Sequence, residues 1–324
     1  MRQDRESEVK RGLFRGAALH LGNAEYLRAV QAFTGELLSS DLGRGDLTSQ
    51  ALGLDGERGC GRVLAKACGV VAGVAEFSWL LSQGGLRVKE RKRDGESIAP
   101  GDVLAEIEGK RSVLLEYERV GLNLLQRMSG IATAARGLQE RLLRRNPATF
   151  VVGTRKTPWG LLDKRALHLG GVGTHRLGLW DAILIKNNHL GLLSGSEEEA
   201  VCIAVRCAWA SRGSAAFVEL EVRSHESALA AARTFREVRH EEYPGPSQQP
   251  CPFILMLDNL PAPEVRSIVD TLRSQDLLEY VLIESSGNIS DANFEAYADC
   301  GADAISIGAL THSVRALDLS LALA

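Results

Sequence analysis

The chain has 324 residues, of which 45% are hydrophobic and 24% are charged, and its formal net charge is −3. A chain of this length can bury a large core, enough for a barrel and a smaller domain. The small net charge gives no reason to expect a nucleic acid or an anionic membrane as partner, and no apolar run reaches membrane-spanning length. The six cysteines show no metal-ligand spacing and indicate reduced thiols, so we expect a cytoplasmic protein.

The first part of the chain predicts mixed helix and strand. Residues 1–22 lack an apolar core and contain several acids, which argues against a signal or transit peptide and predicts a flexible extension. A helix is predicted from Asn23, a suitable cap, to about Leu38. Residues 60–109 combine short alternating segments with turn signals such as Asp94-Gly95, which is typical of short strands. A long helical pattern follows from Ser112.

After Pro147 the pattern changes to repeated strand–helix units. The candidate strands are short apolar runs at 149–153, 182–186, 216–222, 253–258, 280–284 and 303–307. Helical stretches separate several of them, at 197–211, 224–238 and 262–274. This alternation predicts an α/β protein with a parallel barrel. The segment 241–252, with three prolines and a glycine, is predicted to be a surface insertion.

Cationic residues follow the strands at the positions where barrel sites are built. Arg155 and Lys156 follow the first strand, and Lys186 follows the second. The Gly-rich loop between them, GGVGTHR, adds His175 and Arg176. Scattered surface charges are the alternative, but the repetition at strand ends indicates a site for a strongly anionic ligand.

Acids and glycines end the later strands. Glu219 and Glu221 lie two residues apart and therefore on one side of a strand, while Asp258 and Glu284 end two others. Each acid is either a salt-bridge partner for the cations or a ligand for ribose hydroxyls and a magnesium ion. Glycine turns after the last strands, at 286–288 and 308–310, suit phosphate binding through backbone N–H groups.

These motifs together resemble the quinolinate phosphoribosyltransferases. The sequences TRKT (154–157), GG…HR.GL and LIK.NH occur in the family's order, and the resemblance extends from about Asn23 to near the C-terminus. It implies decarboxylating enzymes that make nicotinate mononucleotide for NAD biosynthesis from quinolinate and phosphoribosyl pyrophosphate, with Mg²⁺ as cofactor. It also implies a homodimer, or dimers assembled into a hexamer.

The resemblance implies a domain organisation as well. An N-terminal α+β sandwich domain would cover 23–132, and an α/β barrel with an incomplete strand set would cover 133–311. Residues 312–324 would pack back on the sandwich domain. A seventh barrel strand would lie near 168–174.

The resemblance also implies roles for individual residues. Lys156, Glu221 and Asp258 would be catalytic, and the two acids would hold Mg²⁺ directly or through water. Arg119, in the helix motif ER..LN, would reach the active site of the neighbouring subunit. The substrate-binding set would be Arg119, Thr154, Arg155, Lys156, Thr157, His175, Arg176, Lys186, Glu221, Asp258, Ser286, Gly287, Asn288, Gly308, Ala309 and Leu310, with Glu219 and Glu284 as second choices among the acids.

The chain departs from the family pattern at a few positions. Gly153 stands where Asp is common, Asn187 replaces Asp, and Asn288 replaces the second glycine of a phosphate turn. Asn tolerates a left-handed backbone, so we expect that turn to be retained. None of these changes removes a residue assigned to substrate.

Three alternatives remain open from the sequence. The first is a molybdenum-associated paralogue, or another phosphoribosyltransferase on the same scaffold, which would be expected to lack part of the arginine set. The second is a Schiff-base aldolase that uses Lys156 or Lys186, which would need an apolar pocket around the lysine. The third is a phosphate-sensing protein without turnover.

Overall fold

The structure is a computed structural model and describes residues 2–54, 57–242 and 251–323. The chain divides by its internal contacts into a barrel unit (Met1–Arg15, Leu138–Lys156 and Val172–Ala309) and a sandwich unit (Gly16–Gly137, Thr157–Gly171 and Leu310–Ala324). The predicted boundary at 132/133 placed 157–171 in the barrel, whereas the structure groups this segment with the sandwich unit. Most of the predicted insertion at 241–252 lies outside the described residues.

The secondary structure alternates as the sequence pattern predicts in the second half of the chain. The helices are α1 (Arg2–Leu13), α2 (Ala24–Leu42), α3 (Leu47–Ala51), α4 (Val74–Gln83), α5 (Arg111–Arg145), α6 (Leu161–Leu169), α7 (Asn187–Leu190), α8 (Glu197–Ala210), α9 (His225–Glu242), α10 (Ala262–Ser274), α11 (Phe294–Ala298) and α12 (Ala309–His312). The strands are β1 (Arg58–Ala65), β2 (Gly69–Val70), β3 (Arg87–Glu90), β4 (Ser97–Ile98), β5 (Val103–Lys110), β6 (Phe150–Val152), β7 (Ile183–Ile185), β8 (Val218–Val222), β9 (Phe253–Asp258), β10 (Leu282–Ser286), β11 (Ala304–Ser306) and β12 (Leu319–Leu323).

The barrel unit contains a six-stranded parallel sheet in the order β6-β11-β10-β9-β8-β7. Every residue of β8 and β9 is buried; β9 is accordingly a nearly continuous apolar run, whereas β8 alternates apolar residues with the buried acids Glu219 and Glu221. The apolar faces of α8, α9 and α10 pack on the sheet through residues such as Val205, Phe235 and Ile268. The predicted α/β class with an incomplete strand set is thereby confirmed.

The predicted seventh strand near 168–174 is wrong. Residues 161–169 form α6, and the described residues that follow make only an isolated parallel bridge between Gly173 and Val152. The glycines at 170, 171 and 173 instead belong to the loop that leads to His175.

The N-terminal extension differs from the flexible segment that we expected. Residues 2–13 form α1, and Val9 and Leu13 are buried with residues that begin the barrel strands, among them Phe150 and Leu282. The Arg5 guanidinium donates to Asp303 Oδ1 at 2.9 Å and to the carbonyl of Leu278 at 2.7 Å. Burial of two apolar side chains and a multiply bonded arginine orders a segment that is otherwise polar.

The sandwich unit is built on a four-stranded antiparallel sheet in the order β12-β1-β5-β3. The C-terminal strand β12 pairs with β1 along Gly61–Ala65. Asn23 caps α2 by accepting the N–H of Glu25 at 2.9 Å, and α5 begins directly after β5. In the described part of the chain, no helix has both the length and the hydropathy needed to cross a bilayer.

Candidate active site

The C-terminal ends of the barrel strands surround a cavity of about 590 Å³. Parallel strands all end on the same side of a sheet, so residues far apart in sequence meet there. The cavity is lined by Thr154, Arg155, Lys156, His175, Arg176, Leu184, Lys186, Glu221, Met256, Asp258, Asn259, Glu284, Ser286, Gly287, Asn288 and Ser306. The size suits a ligand somewhat larger than a single aromatic ring.

Four permanently cationic side chains contribute to the lining: Arg155, Lys156, Arg176 and Lys186. Arg155, Lys156 and Lys186 are exposed to the cavity, whereas Arg176 is buried and donates through Nη1 to the carbonyl of Ala182 at 3.2 Å. Burial lowers the pKa of Arg176, and the neighbouring charge of Arg155 lowers it further. Two guanidinium groups that repel each other in one cavity form a favourable site for an anion, particularly a carboxylate held by two hydrogen bonds.

The acids Glu221 and Asp258 end neighbouring strands and are almost buried. An arginine that the sequence analysis did not single out contacts both. Arg223 donates through Nε and Nη2 to Asp258 Oδ2 at 3.0 and 2.8 Å, and its Nη2 lies 3.6 Å from Glu221 Oε1. The Nδ2 of Asn259 donates to the same Asp258 oxygen at 2.7 Å. A cation therefore contacts both acids, and an amide also donates to Asp258.

The turn after β10 has the backbone that phosphate binding requires. Gly287 has φ 91°, and a Cβ there would lie 2.4 Å from Asn259 Oδ1, so only glycine fits. Asn288 has φ 52°, as we expected for an Asn in the place of a glycine. Its side chain donates to Asn259 Oδ1 at 2.9 Å, which ties this turn to the end of β9.

Beneath the cations lies a buried group that we call the barrel cluster: His175, Glu219 and Glu284. The imidazole Nε2 lies 3.1 Å from Glu219 Oε2 and 3.3 Å from Glu284 Oε2. Apart from these contacts, the carboxylate oxygens have no hydrogen-bond donor among the described residues. The other ring nitrogen, Nδ1, accepts the backbone N–H of Arg176 at 2.8 Å. Both nitrogens of His175 are thus engaged within the protein.

This geometry indicates which side chains of the barrel cluster carry protons. Burial lowers the pKa of His175, but Glu219 and Glu284 outweigh it and raise that pKa to about 9. Burial and the charge of Glu284 raise the pKa of Glu219 to about 7. The second ring proton to which the raised pKa of His175 refers would have to sit on Nδ1 and would displace the Arg176 N–H from it; while that hydrogen bond is kept the ring stays neutral, and we assign the additional proton to Glu219.

The same geometry argues against a metal ion within the barrel cluster. The three side chains are close enough to share a cation. A metal would need a deprotonated Nε2, yet a neutral imidazole whose Nδ1 accepts a hydrogen bond carries its proton on Nε2. The cluster is therefore a hydrogen-bonded support beneath Arg176.

Several predicted site residues lie outside the cavity lining. Gly308 and Ala309 follow β11 but do not line the cavity, and Glu219 is buried beneath it. Thr157, Leu310 and Arg119 belong to the sandwich unit. Thr157 donates to the buried carboxylate of Asp163, which also accepts a two-pronged pair of bonds from Arg127 at 2.9 and 2.8 Å. The exposed Arg119 lies on α5.

Four lining residues were missed: Leu184, Met256, Asn259 and Ser306. Strand alternation could have found Met256, because it lies two residues before Asp258 and so on the same side of β9. The same alternation could have found Leu184 and Ser306, which lie two residues before the predicted site residues Lys186 and Gly308.

A parallel α/β barrel with cations, acids and a glycine turn at one mouth has the construction of an enzyme that acts on phosphorylated, anionic substrates. Residues 131–322 match the family described as quinolinate phosphoribosyl transferase, C-terminal domain, and residues 46–129 match the corresponding N-terminal domain. The chain belongs to the quinolinate phosphoribosyl transferase family.

Individual relatives agree with this assignment. The chain is 37% identical over 261 residues to a probable nicotinate-nucleotide pyrophosphorylase [carboxylating] of Archaeoglobus fulgidus, covering 80% of this chain and 92% of that protein. It is 33% identical to quinolinate phosphoribosyltransferase [decarboxylating] 2, mitochondrial, of Nicotiana glauca, covering 88% and 79%. The solved nicotinate-nucleotide pyrophosphorylase of Francisella tularensis superposes with a TM-score of 0.74 at 28% identity, covering 92% and 96%.

Proposed function

We propose that this chain transfers the phosphoribosyl group of phosphoribosyl pyrophosphate to quinolinate and removes one carboxylate, giving nicotinate mononucleotide, pyrophosphate and CO₂ in NAD biosynthesis. The observation that carries the proposal is that a single cavity is lined by the guanidinium groups of Arg155 and Arg176 and also by the carboxylates of Glu221 and Asp258 beside a glycine turn. A ring dicarboxylate and a phosphorylated ribose need these two sets of groups together. The membership of the family supports the same reaction.

The acceptor site is formed by Arg155, Arg176 and Lys186. Arginines bind carboxylates with two parallel hydrogen bonds, and quinolinate has two carboxylates on adjacent ring carbons. His175 lines the cavity, but its nitrogens are engaged with Glu219, Glu284 and the backbone of Arg176. We therefore assign His175 to supporting Arg176 rather than to direct binding of quinolinate.

The donor site is formed by the acids and the glycine turn. Backbone N–H groups of Ser286, Gly287 and Asn288 would bind the 5′-phosphate, and Glu221 and Asp258 would accept bonds from ribose hydroxyls. The two carboxylates also fit Mg²⁺, which prefers oxygen ligands, directly or through water, once Arg223 has released them. When bound, this ion supplies charge neutralisation to the leaving pyrophosphate.

The reaction begins when the ring nitrogen of quinolinate attacks the anomeric carbon and the bond to the pyrophosphate oxygen breaks. Glu221 and Asp258 stabilise the positive charge that develops on the ribose. The alkylated nitrogen is cationic, so the adjacent C2 carboxylate leaves as CO₂ and its electron pair remains at C2. That carbon then takes a proton, from Lys156 or from water. Lys156 or Lys186 stabilises the leaving pyrophosphate.

We also propose a homodimer, or dimers assembled into a hexamer, in the cytoplasm. Arg119 is exposed on α5, so its guanidinium is available to the active site of a neighbouring subunit, as the family resemblance implies. Exposed apolar side chains such as Leu179, Trp180 and Leu192 suit a surface that a second chain covers.

The test is a reaction of the purified protein with quinolinate, phosphoribosyl pyrophosphate and Mg²⁺, with nicotinate as the parallel acceptor. We expect equal amounts of nicotinate mononucleotide and CO₂ from quinolinate, and no product from nicotinate. Product from nicotinate, or the mononucleotide without CO₂, would overturn the proposed reaction. Binding of phosphoribosyl pyrophosphate without turnover of quinolinate would favour a paralogue with another acceptor.

A further inference from the structure

The segment that follows α1 lies against the loop that carries Arg176. Gly173 bridges Val152 at the edge strand β6, with the Gly153 N–H donating to the Gly173 carbonyl at 2.8 Å. Two residues further on, the His175 N–H donates to the carbonyl of Leu13 at 2.9 Å. The loop that carries Arg176 therefore contacts β6 and the N-terminal segment.

Contacts with this segment hold the chain on both sides of Arg176. On the N-terminal side, the Leu13 carbonyl accepts from His175, and the Arg15 N–H donates to Thr174 Oγ1 at 3.0 Å. On the C-terminal side, Asp181 Oδ2 accepts the Leu177 N–H at 2.9 Å. The other oxygen of Asp181 lies 3.3 Å from Arg15 Nη2.

The loop needs such support because its backbone is strained. His175 has φ 56°, a left-handed conformation that is unfavourable for a residue with a Cβ and persists only where the surroundings determine it. The N-terminal segment is itself fixed, because Leu13 is buried in the barrel core and Phe14 packs edge-on against Phe150 at 5.6 Å. Arg5 anchors the other end of α1 to Asp303.

We propose that the segment Leu13–Arg15 is part of the acceptor site, and that Arg15 is a positioning residue that orients Arg176 through Asp181 and so sets the affinity for the ring dicarboxylate. This inference rests on the proposed function for the identity of the ligand. The positioning of the loop itself can be measured without any substrate.

The experiment compares Arg15→Ala with Lys10→Ala, which removes one positive charge from α1, with an exposed pair to Glu6 and a 5.5 Å contact over the Phe150 ring, but none of the contacts with the loop described above. Hydrogen exchange of peptides covering 173–178 is measured in the free proteins, followed by the Kd values of quinolinate and of phosphoribosyl pyrophosphate. We expect Arg15→Ala to speed exchange in this loop and to raise the Kd of quinolinate by about tenfold, the equivalent of one half-exposed charged contact, with a change below about twofold for the donor. Lys10→Ala should match the wild type, and Arg15→Lys should restore most of the affinity.

A second variant separates positioning from general loss of stability. Asp181→Asn keeps an acceptor for Leu177 but removes the charge that pairs with Arg15, so it should weaken quinolinate binding as Arg15→Ala does, and the double variant should be no worse than either. Unchanged exchange in Arg15→Ala, or equal losses for both ligands, would overturn the inference. If the wild type fails to bind quinolinate, the proposed function is contradicted, and the exchange result alone decides whether Arg15 positions the loop.

Discussion

Each of the two units of the molecule contains a cluster of ionisable side chains, and the cluster in the barrel unit borders the cavity at the strand ends. In the sandwich unit, Tyr26 donates to Glu76 Oε1 at 2.8 Å, and the Arg165 guanidinium lies 3.8 Å from Glu76 and 3.6 Å from Asp94. We call these four residues the sandwich cluster. None of its four residues lines the cavity at the strand ends of the barrel unit.

The barrel cluster is more completely buried than the sandwich cluster and is differently placed. Glu284 lines the cavity, and Nδ1 of His175 accepts from the backbone of Arg176, which faces the ligand space. The comparison teaches that buried charge alone does not identify a site. Position at the C-terminal ends of parallel strands, beside open volume and like-charged arginines, distinguishes the functional cluster from the structural one.

The largest expected effect is the loss of kcat when the acids that line the cavity are substituted. Glu221→Gln and Asp258→Asn should each lower kcat by about 10²–10³-fold, because each removes a charge that stabilises the ribosyl cation. Glu76→Gln, the matched change in the sandwich cluster, should leave kcat within about twofold of the wild type because Glu76 lines no described cavity. Steady-state kinetics with both substrates measures the difference. Equal losses in the two clusters would contradict the distinction.

The next effect concerns the acceptor. Arg155→Ala should raise the KM of quinolinate by about 100-fold and change that of phosphoribosyl pyrophosphate far less, because a desolvated charged contact to the ligand contributes roughly 3 kcal/mol. Arg144→Ala, at the exposed end of α5, removes the same charge away from the cavity and serves as control. A similar rise for both substrates would indicate that Arg155 acts on the fold rather than on quinolinate.

A smaller effect is expected at Arg223, which contacts the acids that would hold Mg²⁺. Arg223→Gln should lower the half-saturating Mg²⁺ concentration by about 3- to 10-fold, because the arginine no longer competes with the ion for the two carboxylates. The partly exposed ion pair that the variant loses contributes roughly 1 kcal/mol. Titration of Mn²⁺ in the presence of phosphoribosyl pyrophosphate, read by electron paramagnetic resonance, measures this without turnover. Arg206→Gln, which breaks an exposed pair with Glu237, is the control. A higher metal requirement in Arg223→Gln would refute competition.

The smallest effect is on stability and belongs to the sandwich cluster. Burial and Asp94 raise the pKa of Glu76, while Tyr26 and Arg165 oppose the rise. A raised folded-state pKa means that the native state holds more protons, so stability falls as pH rises from the ordinary carboxyl range of about 4.3. The side chain in Glu76→Gln cannot ionise, so as the pH rises the Tm of this variant should fall by about 2–4 °C less than the Tm of the wild type. Thermal unfolding across pH checks this, and parallel curves for the two proteins would contradict it.

The sequence predicted the parts of the site that follow long apolar runs. Lys186 and Asp258 each end such a run, and the strand geometry brings them to one mouth. Arg223 was missed because a charge just after a strand has the same local signature as a solvated residue. The sequence did not predict that α1 is ordered, because its apolar contacts come from Val9 and Leu13 in a segment that is otherwise polar. These two side chains meet their partners only in the folded barrel.

The most direct test of the account is equilibrium dialysis of labelled quinolinate against three proteins: the wild type, the double variant Arg155→Ala/Arg176→Ala, and Glu76→Gln. We predict stoichiometric binding by the wild type and by Glu76→Gln, and loss of binding in the double arginine variant with its fold retained. Undiminished binding by a folded double variant would place the acceptor site outside the barrel mouth and contradict the central claim.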